Sequence, residues 1–182
     1  MTRILLVDDE PNILSSLKRT LNTRDEFDGT SPGYEIHTFN EPRAALVASE
    51  SQQFDLVISD YRMPDMDGVA FLTDFRYLQP DCIRIILSGQ ADLTALLRAI
   101  NDVEIYRFLS KPWNDFELRS TVSGALRFRT LQLENQRMAD ELRQIRAQAN
   151  RQEEELRRIE AESPGITQVN WGDDGSVRLD ED

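Results

Sequence analysis

A chain of 182 residues, 40% hydrophobic, with a formal charge of −12, has room for one core-forming domain plus an extension, and too many acids for a phosphate-neutralising, nucleic-acid-binding surface. The single cysteine, Cys82, excludes an internal disulfide and reads as a small buried residue, while the sole histidine, His37, argues against His-based triads, His-rich zinc sites and a histidine phosphoacceptor. No apolar run approaches the roughly 18 residues of a membrane span and the N-terminal apolar run meets Asp8, Asp9 and Glu10 at once, so a cytoplasmic protein without membrane contact is expected.

The first β-type run, "RILLV" (residues 3–7), ends at Asp8 and Asp9 and is followed by the helix-type run "NILSSLKRTLN" (12–22). "TRDEFDGTSPGY" then reads as a surface loop leading to "YEIHTF" (34–39), where His37 takes an ordinary strand position, and to the helical "EPRAALVASES" (41–51). "DLVIS" (55–59) ends at Asp60, a turn rich in Met, Pro, Asp and Gly follows, and "GVAFLTDFRYLQ" (68–79) is helical. "CIRIIL" (82–87) ends at Ser88, "DLTALLRAIND" (92–102) is helical, and "IYRFL" (105–109) lies just before Lys111. Five strands alternating with helices predict an α/β fold, a doubly wound parallel sheet with helices on both faces and ligands beyond the carboxyl ends of the strands.

Several polar residues therefore collect at one edge. If the first and third strands are neighbours, about 4.8 Å apart, the carboxylates of Asp8, Asp9 and Asp60 converge, and three close anions call for a cation. Few fixed oxygen ligands suit Mg²⁺, which expects a phosphate as partner. Lys111 would lie roughly 10 Å from Asp60, within reach of its stem, with the Ser88 hydroxyl between them. A carboxylate nucleophile, a divalent metal, a cationic clamp and a hydroxyl donor together describe phosphoryl transfer onto an aspartate. Taken singly, each residue has a plainer role: Asp8 and Asp9 as caps of a helix starting near Pro11, Asp60 as a turn former, Ser88 as a capping hydroxyl, and Lys111 as a surface cation.

At "LLVDDEP", "SDYRMPDMDG", "LSG" and "FLSKPW", in that order, the sequence resembles the receiver domains of two-component response regulators over roughly residues 1–127. The resemblance implies a flavodoxin-like fold in which Asp60 accepts a phosphoryl group from a histidine kinase. It implies that Asp8, Asp9 and Asp60, with the backbone carbonyl of Arg62, hold Mg²⁺, and that Ser88 and Lys111 grip the phosphoryl oxygens. It further implies a switch made by Ser88 and Phe108 and a cis bond before Pro112. Such a protein is a phosphoacceptor and not an enzyme for external substrates; the haloacid-dehalogenase-like phosphatases need an Asp-x-Asp followed by Thr, which "DDEP" does not supply. "SGQAD" followed by "AINDVEIYRFLSKPW" is similar to receivers found ahead of cyclic-di-GMP-turnover or phosphatase domains, which suggests a bacterial signalling setting without identifying the output.

After Lys111, Asn114 and Glu117 form an Asn version of the capping box, and no breaker appears until Ser163-Pro164-Gly165. A helix of about 48 residues and about 72 Å is expected, far more than a receiver needs. Its excess carries a heptad register, with Asn135, Leu142, Ala149 and Leu156 at a and Leu131, Met138, Ile145, Gln152 and Ile159 at d. Residues 128–162 are thus expected to be a coiled-coil arm making a homodimer, or a coil with another protein, or a lone charged helix. A buried Asn at a favours a parallel pair, in which Glu141 would meet Arg146 while Glu155 faces Glu160. The tail, 163–182, is acidic, with a hairpin signal at Asp174-Gly175 and Trp171 as a docking anchor. The expected function is phosphorylation-dependent change in dimerisation or in binding a downstream protein effector; the alternatives are a relay carrier without its own output and a scaffold with a vestigial pocket.

Overall fold

The computed structural model describes residues 1–23, 33–89 and 103–163. The expected helix at 92–102, most of the loop after the first helix and the acidic tail with its hairpin lie outside them. The described elements are β1 (Arg3–Val7), α1 (Pro11–Asn22), β2 (Glu35–Phe39), α2 (Pro42–Ser51), β3 (Leu56–Asp60), α3 (Gly68–Leu78), β4 (Ile83–Gly89), β5 (Arg107–Lys111) and α4 (Asp115–Glu162). The strands form one all-parallel sheet in the order β2-β1-β3-β4-β5, the flavodoxin-like arrangement expected, and α4 is the long C-terminal helix.

Strand periodicity sorts the core onto two faces. Ile4, Leu6, Leu56, Ile58, Ile85 and Leu87 pack with residues of α1 and α4; Leu5, Val7, Val57 and Ile86 pack with residues of α2 and α3. The central strands are apolar on both faces because helices cover both, which is why they read as continuous hydrophobic runs. Pro11 and Pro42 start α1 and α2, where a missing N–H costs nothing. Asp67 caps α3 by accepting from the Ala70 N–H at 2.8 Å, and Asn114 Oδ1 accepts from the N–H groups of Phe116 and Glu117 at 2.9 and 3.1 Å.

The strand ends differ from the expectation in one consistent direction. β3 runs through Asp60, β4 through Ser88 to Gly89, and β5 begins at Arg107 and ends on Lys111. The parallel ladder continues past the apolar residues, pairing Asp60 with Leu87, Ser88 with Ser110 and Gly89 with Lys111, because backbone pairing is indifferent to side-chain polarity. At its other end β5 starts late. The buried Arg84 donates to the carbonyls of Val103 and Cys82, both at 2.8 Å, and pairs with Glu104, whose φ of 52° turns the chain just ahead of the strand.

The chain divides into two units, Met1–Leu133 and Glu134–Asp182. Within the first, α4 buries Leu118, Thr121, Val122 and Ala125, the spacing of one helical face. Arg129 fastens the same stretch, pairing with Asp55 at 2.7 Å and donating to the Asp81 carbonyl at 3.0 Å. In the second unit, Met138, Leu142, Ile145 and Leu156 are more than half exposed. The polar side of that helix carries ion pairs Arg137–Glu141, Asp140–Arg143, Glu153–Arg157 and Arg158–Glu162, each worth about 0.2–0.5 kcal/mol on an exposed helix. Among the described residues, no helix is long and apolar enough to cross a membrane.

Candidate functional site

Asp8, Asp60 and Lys111 continue the alternation of their strands. Ile4-Leu6-Asp8, Leu56-Ile58-Asp60 and Leu109-Lys111 each step by two, and their apolar members belong to the α1/α4 core, so the polar members share that face at the carboxyl edge. The register that sets Val7 opposite Ser59 brings the next residues, Asp8 and Asp60, side by side. Carboxylate oxygens of Asp8, Asp9 and Asp60 lie within 4.8 Å of one another. Lys111 Nζ bridges two of them, at 2.7 Å from Asp8 Oδ2 and 2.7 Å from Asp60 Oδ1. The lysine stem therefore spans the two strand spacings in full.

The electrostatics of this group set burial against hydrogen bonding. Burial raises the carboxyl pKa of both Asp8 and Asp60 above the ordinary value, against the lowering effect of their hydrogen bonds to Lys111. For Lys111, burial pulls the pKa down, but the hydrogen bonds of Asp60 and Asp8 prevail and the ammonium holds its proton more tightly than usual. Lys111 pairs with two of the three clustered acids, and carboxylates this close disfavour one another's charge. A divalent cation would balance the remaining charge, and the donor set, all carboxylate oxygen, is of the hard type that Mg²⁺ prefers. The residues present fit that ion.

Asp8 also accepts from the Glu10 N–H at 2.9 Å, whereas the N-cap of α1 is Glu10, with no side-chain capping bond. The helix-cap reading of Asp8 and Asp9 is therefore not what the fold uses. Ser88 is buried on the opposite strand face from Asp60, and its Oγ has no hydrogen-bond partner among the described residues. Phe108 pairs with Ile86 in the ladder, which puts it on the same sheet face as Ser88, half-buried against the α2/α3 core. Arg62 is exposed in the turn two residues after Asp60. Lys111-Pro112 is cis, as the resemblance implied. Beside Lys111, Ile13, Ser16, Pro112, Trp113 and Asp115 line a cavity of about 520 Å³.

Two neighbours of Asp60 carry no charge and drew no attention in the sequence. Gly68 approaches so closely that a Cβ there would overlap the Asp60 carbonyl, and its N–H donates to the Tyr61 carbonyl at 2.8 Å. This close approach folds the turn back on the strand end. Ser59 Oγ donates to the Asp60 carbonyl at 2.9 Å. The Asp-Gly pair opening α3 is a legible signal for the cap, but the approach of Gly68 to Asp60 arises only in the tertiary fold. Cys82 is buried, and burial pushes its thiol far up, so it is no nucleophile. His37, half-buried in β2, engages Glu35 and Gln52, each at 2.9 Å.

The register residues of the helical arm, Leu131, Asn135, Met138, Leu142, Ile145, Ala149, Gln152 and Leu156, are exposed, and Ile159 is 37% exposed. Among the described residues, none of them belongs to a buried core.

Residues 4–123 match the response regulator receiver domain family. The hydrogenase transcriptional regulatory protein HoxA of Cupriavidus necator is 34% identical over 140 residues, covering 77% of this chain and 27% of that protein. The chain spans about a quarter of the length of the first curated relatives it matches. Among solved structures, the signal receiver domain of an HD domain-containing protein from Pseudomonas fluorescens is 36% identical, with a TM-score of 0.61, over 71% of this chain and 97% of that one. An uncharacterized protein from Neptuniibacter caesariensis is 40% identical, with a TM-score of 0.66, over 74% and 93%.

Proposed function

This chain belongs to the response regulator receiver family, the phosphoacceptor domains of two-component signalling, and from that premise we propose that Asp60 takes a phosphoryl group from a histidine kinase. The observation that carries the reading is the bridging position of Lys111, 2.7 Å from both Asp8 and Asp60, beside the third carboxylate of Asp9. In the proposed reaction a carboxylate oxygen of Asp60 attacks phosphorus as the bond to the donor nitrogen breaks, leaving an acyl phosphate. Lys111 follows the charge onto the phosphoryl oxygens, and the buried Ser88 hydroxyl, without a partner among the described residues, donates to another. Asp8, Asp9, Asp60 and the backbone carbonyl of Arg62 would hold Mg²⁺, which neutralises the phosphoryl oxygens when bound. Movement of Ser88 toward the phosphoryl group vacates space on the face it shares with Phe108, and that pair is the proposed switch.

For output, we assign residues 1–127 to the receiver, 128–162 to an arm and 163–182 to an acidic tail. Large apolar side chains at heptad spacing stand exposed along the arm, an arrangement that water disfavours and a second helix relieves. The arm therefore makes a homodimer, and phosphorylation alters its geometry or its binding of a downstream protein effector. The chain's acidity gives a nucleic acid no counter-charge, so the proposal includes none.

The test is intact mass spectrometry after incubation with Mg²⁺ and a small-molecule phosphodonor. Gain of one phosphoryl group by the full chain, lost with chelator and lost in Asp60→Asn, is the expected result. No gain at all would leave a scaffold with a vestigial pocket. A gain accompanied by undiminished transfer to a histidine protein when the arm is deleted would make the chain a relay carrier.

A further inference from the structure

The arm's register does not stop at Leu131. Seven residues before Asn135 stands Phe128, an a position, and seven before Leu131 stands Gly124, a d position. Phe128, seven residues after Thr121, stands at the edge of the buried face of α4 formed by Leu118, Thr121, Val122 and Ala125, and 44% of it is exposed. Its ring is held at the edge of the first unit by Tyr106, with ring centroids 5.5 Å apart and planes tilted by 39°. Tyr106 is in turn anchored: its N–H donates to the Arg84 carbonyl at 2.8 Å and its side chain packs on the α1/α4 core. A Cβ on Gly124 would come within 3.3 Å of the Tyr106 hydroxyl. A mid-helix glycine, unfavourable against alanine, thus has a local reason here: it leaves room for the tyrosine that supports Phe128.

The charge pattern chooses the occupant of this face. The g column of the arm is Glu134, Glu141, Gln148, Glu155 and Glu162. An antiparallel homodimer sets g against g and would stack these acids on one another; a parallel one sets g against e, where Glu141 meets Arg146 and only Glu155 and Glu160 oppose. We propose that the dimer seam begins inside the receiver unit, at Phe128: two copies of this chain pair in parallel, with their Phe128 rings facing each other and each ring backed by its own Tyr106. This rests on the homodimeric, parallel reading of the arm and adds its starting point. Because Tyr106 stands immediately ahead of β5, whose last residue is Lys111, the first rung of the seam is then attached to the strand that carries the phosphoryl clamp.

The full chain with Phe128→Cys, and separately with Met138→Cys, would be oxidised mildly and run on a non-reducing gel. The mass of the unmodified chain would be taken by light scattering, and its buried Cys82 serves as the unreactive control. A dimeric mass with trapping at both positions is expected. A dimer that traps at 138 and not at 128 places the start of the seam beyond the receiver and overturns the inference while leaving the homodimer standing. A dimer that traps at neither is not the parallel seam and overturns it too. A monomeric mass without trapping removes the homodimeric reading itself. As a second readout, Phe128→Glu should raise the dimer dissociation constant at least about tenfold, while Ser123→Glu, off the seam, should change it less than about twofold; equal effects would overturn the inference.

Discussion

One helix, α4, does two different things with the same periodicity. In the receiver unit its apolar side chains Leu118, Val122 and Ala125 are fully buried under the sheet; in the second unit Leu142, Ile145 and Leu156 recur at similar spacing and are 54–61% exposed. Helix propensity sustains both stretches, and intrahelical ion pairs add to the second. The difference is that the described residues cover the first stretch and leave the second exposed. Amphipathic spacing states that a helix face needs covering, and it does not state what covers it.

The comparison can be broken at its strongest point first. Asp60→Asn should abolish phosphoryl uptake, measured by intact mass, and leave the arm's association constant in the unphosphorylated state unchanged. It should also raise Tm in the absence of Mg²⁺. The pKa of Asp60 is raised by burial, so the folded state binds a proton there more tightly than the unfolded chain does; ionisation above that folded pKa destabilises the fold, and stability is regained as pH falls through it. An amide removes that cost. A lower Tm for the variant would mean that the pair with Lys111 outweighs desolvation.

Leu118→Ala should lower receiver stability by about 2–5 kcal/mol in chemical denaturation, whereas Leu142→Ala should leave receiver unfolding unchanged and weaken dimerisation in sedimentation equilibrium. Similar losses of receiver stability from both would erase the distinction between the units. Gly68→Ala should cost about 1–3 kcal/mol and slow phosphorylation, because the new methyl displaces the Asp60 carbonyl. Lys111→Ala should still accept a phosphoryl group, more slowly, but lose any phosphorylation-dependent change in assembly; normal coupling in that variant would remove the lysine from the switch. Smallest of all, Glu153→Gln, which breaks one exposed pair with Arg157, should cost at most about 0.5 kcal/mol in arm helicity by circular dichroism.

Much of the receiver was legible because its signals are local and redundant. Strand–helix alternation, prolines at helix starts and an Asn cap for α4 needed no tertiary knowledge, and the acid-bearing strand ends were readable once the sheet was taken as parallel. Strand boundaries were misread by one or two residues where pairing carried the ladder through Asp60, Ser88 and Lys111. Polarity marks loops only on average, and here polar residues end strands because they line a site. Gly68 and Ser59 went unassigned since their roles are approaches to a carbonyl, which leave no pattern in composition or period. For the arm, the register was readable throughout, yet its first rung at Phe128 was not, because nothing short of the Tyr106 contact distinguishes that residue from one more core aromatic of the receiver.

The sequence by itself determined which residues are apolar at which period, where the helices start, and that acids and a lysine stand at successive strand ends. These follow from nearest-neighbour chemistry along the chain. Only the tertiary structure decided that Lys111 bridges Asp8 and Asp60, that Gly68 closes on the Asp60 carbonyl, and that Tyr106 supports Phe128. Each depends on the order and register of strands far apart in sequence, where a slip of a single residue would turn Asp60 or Lys111 to the other face.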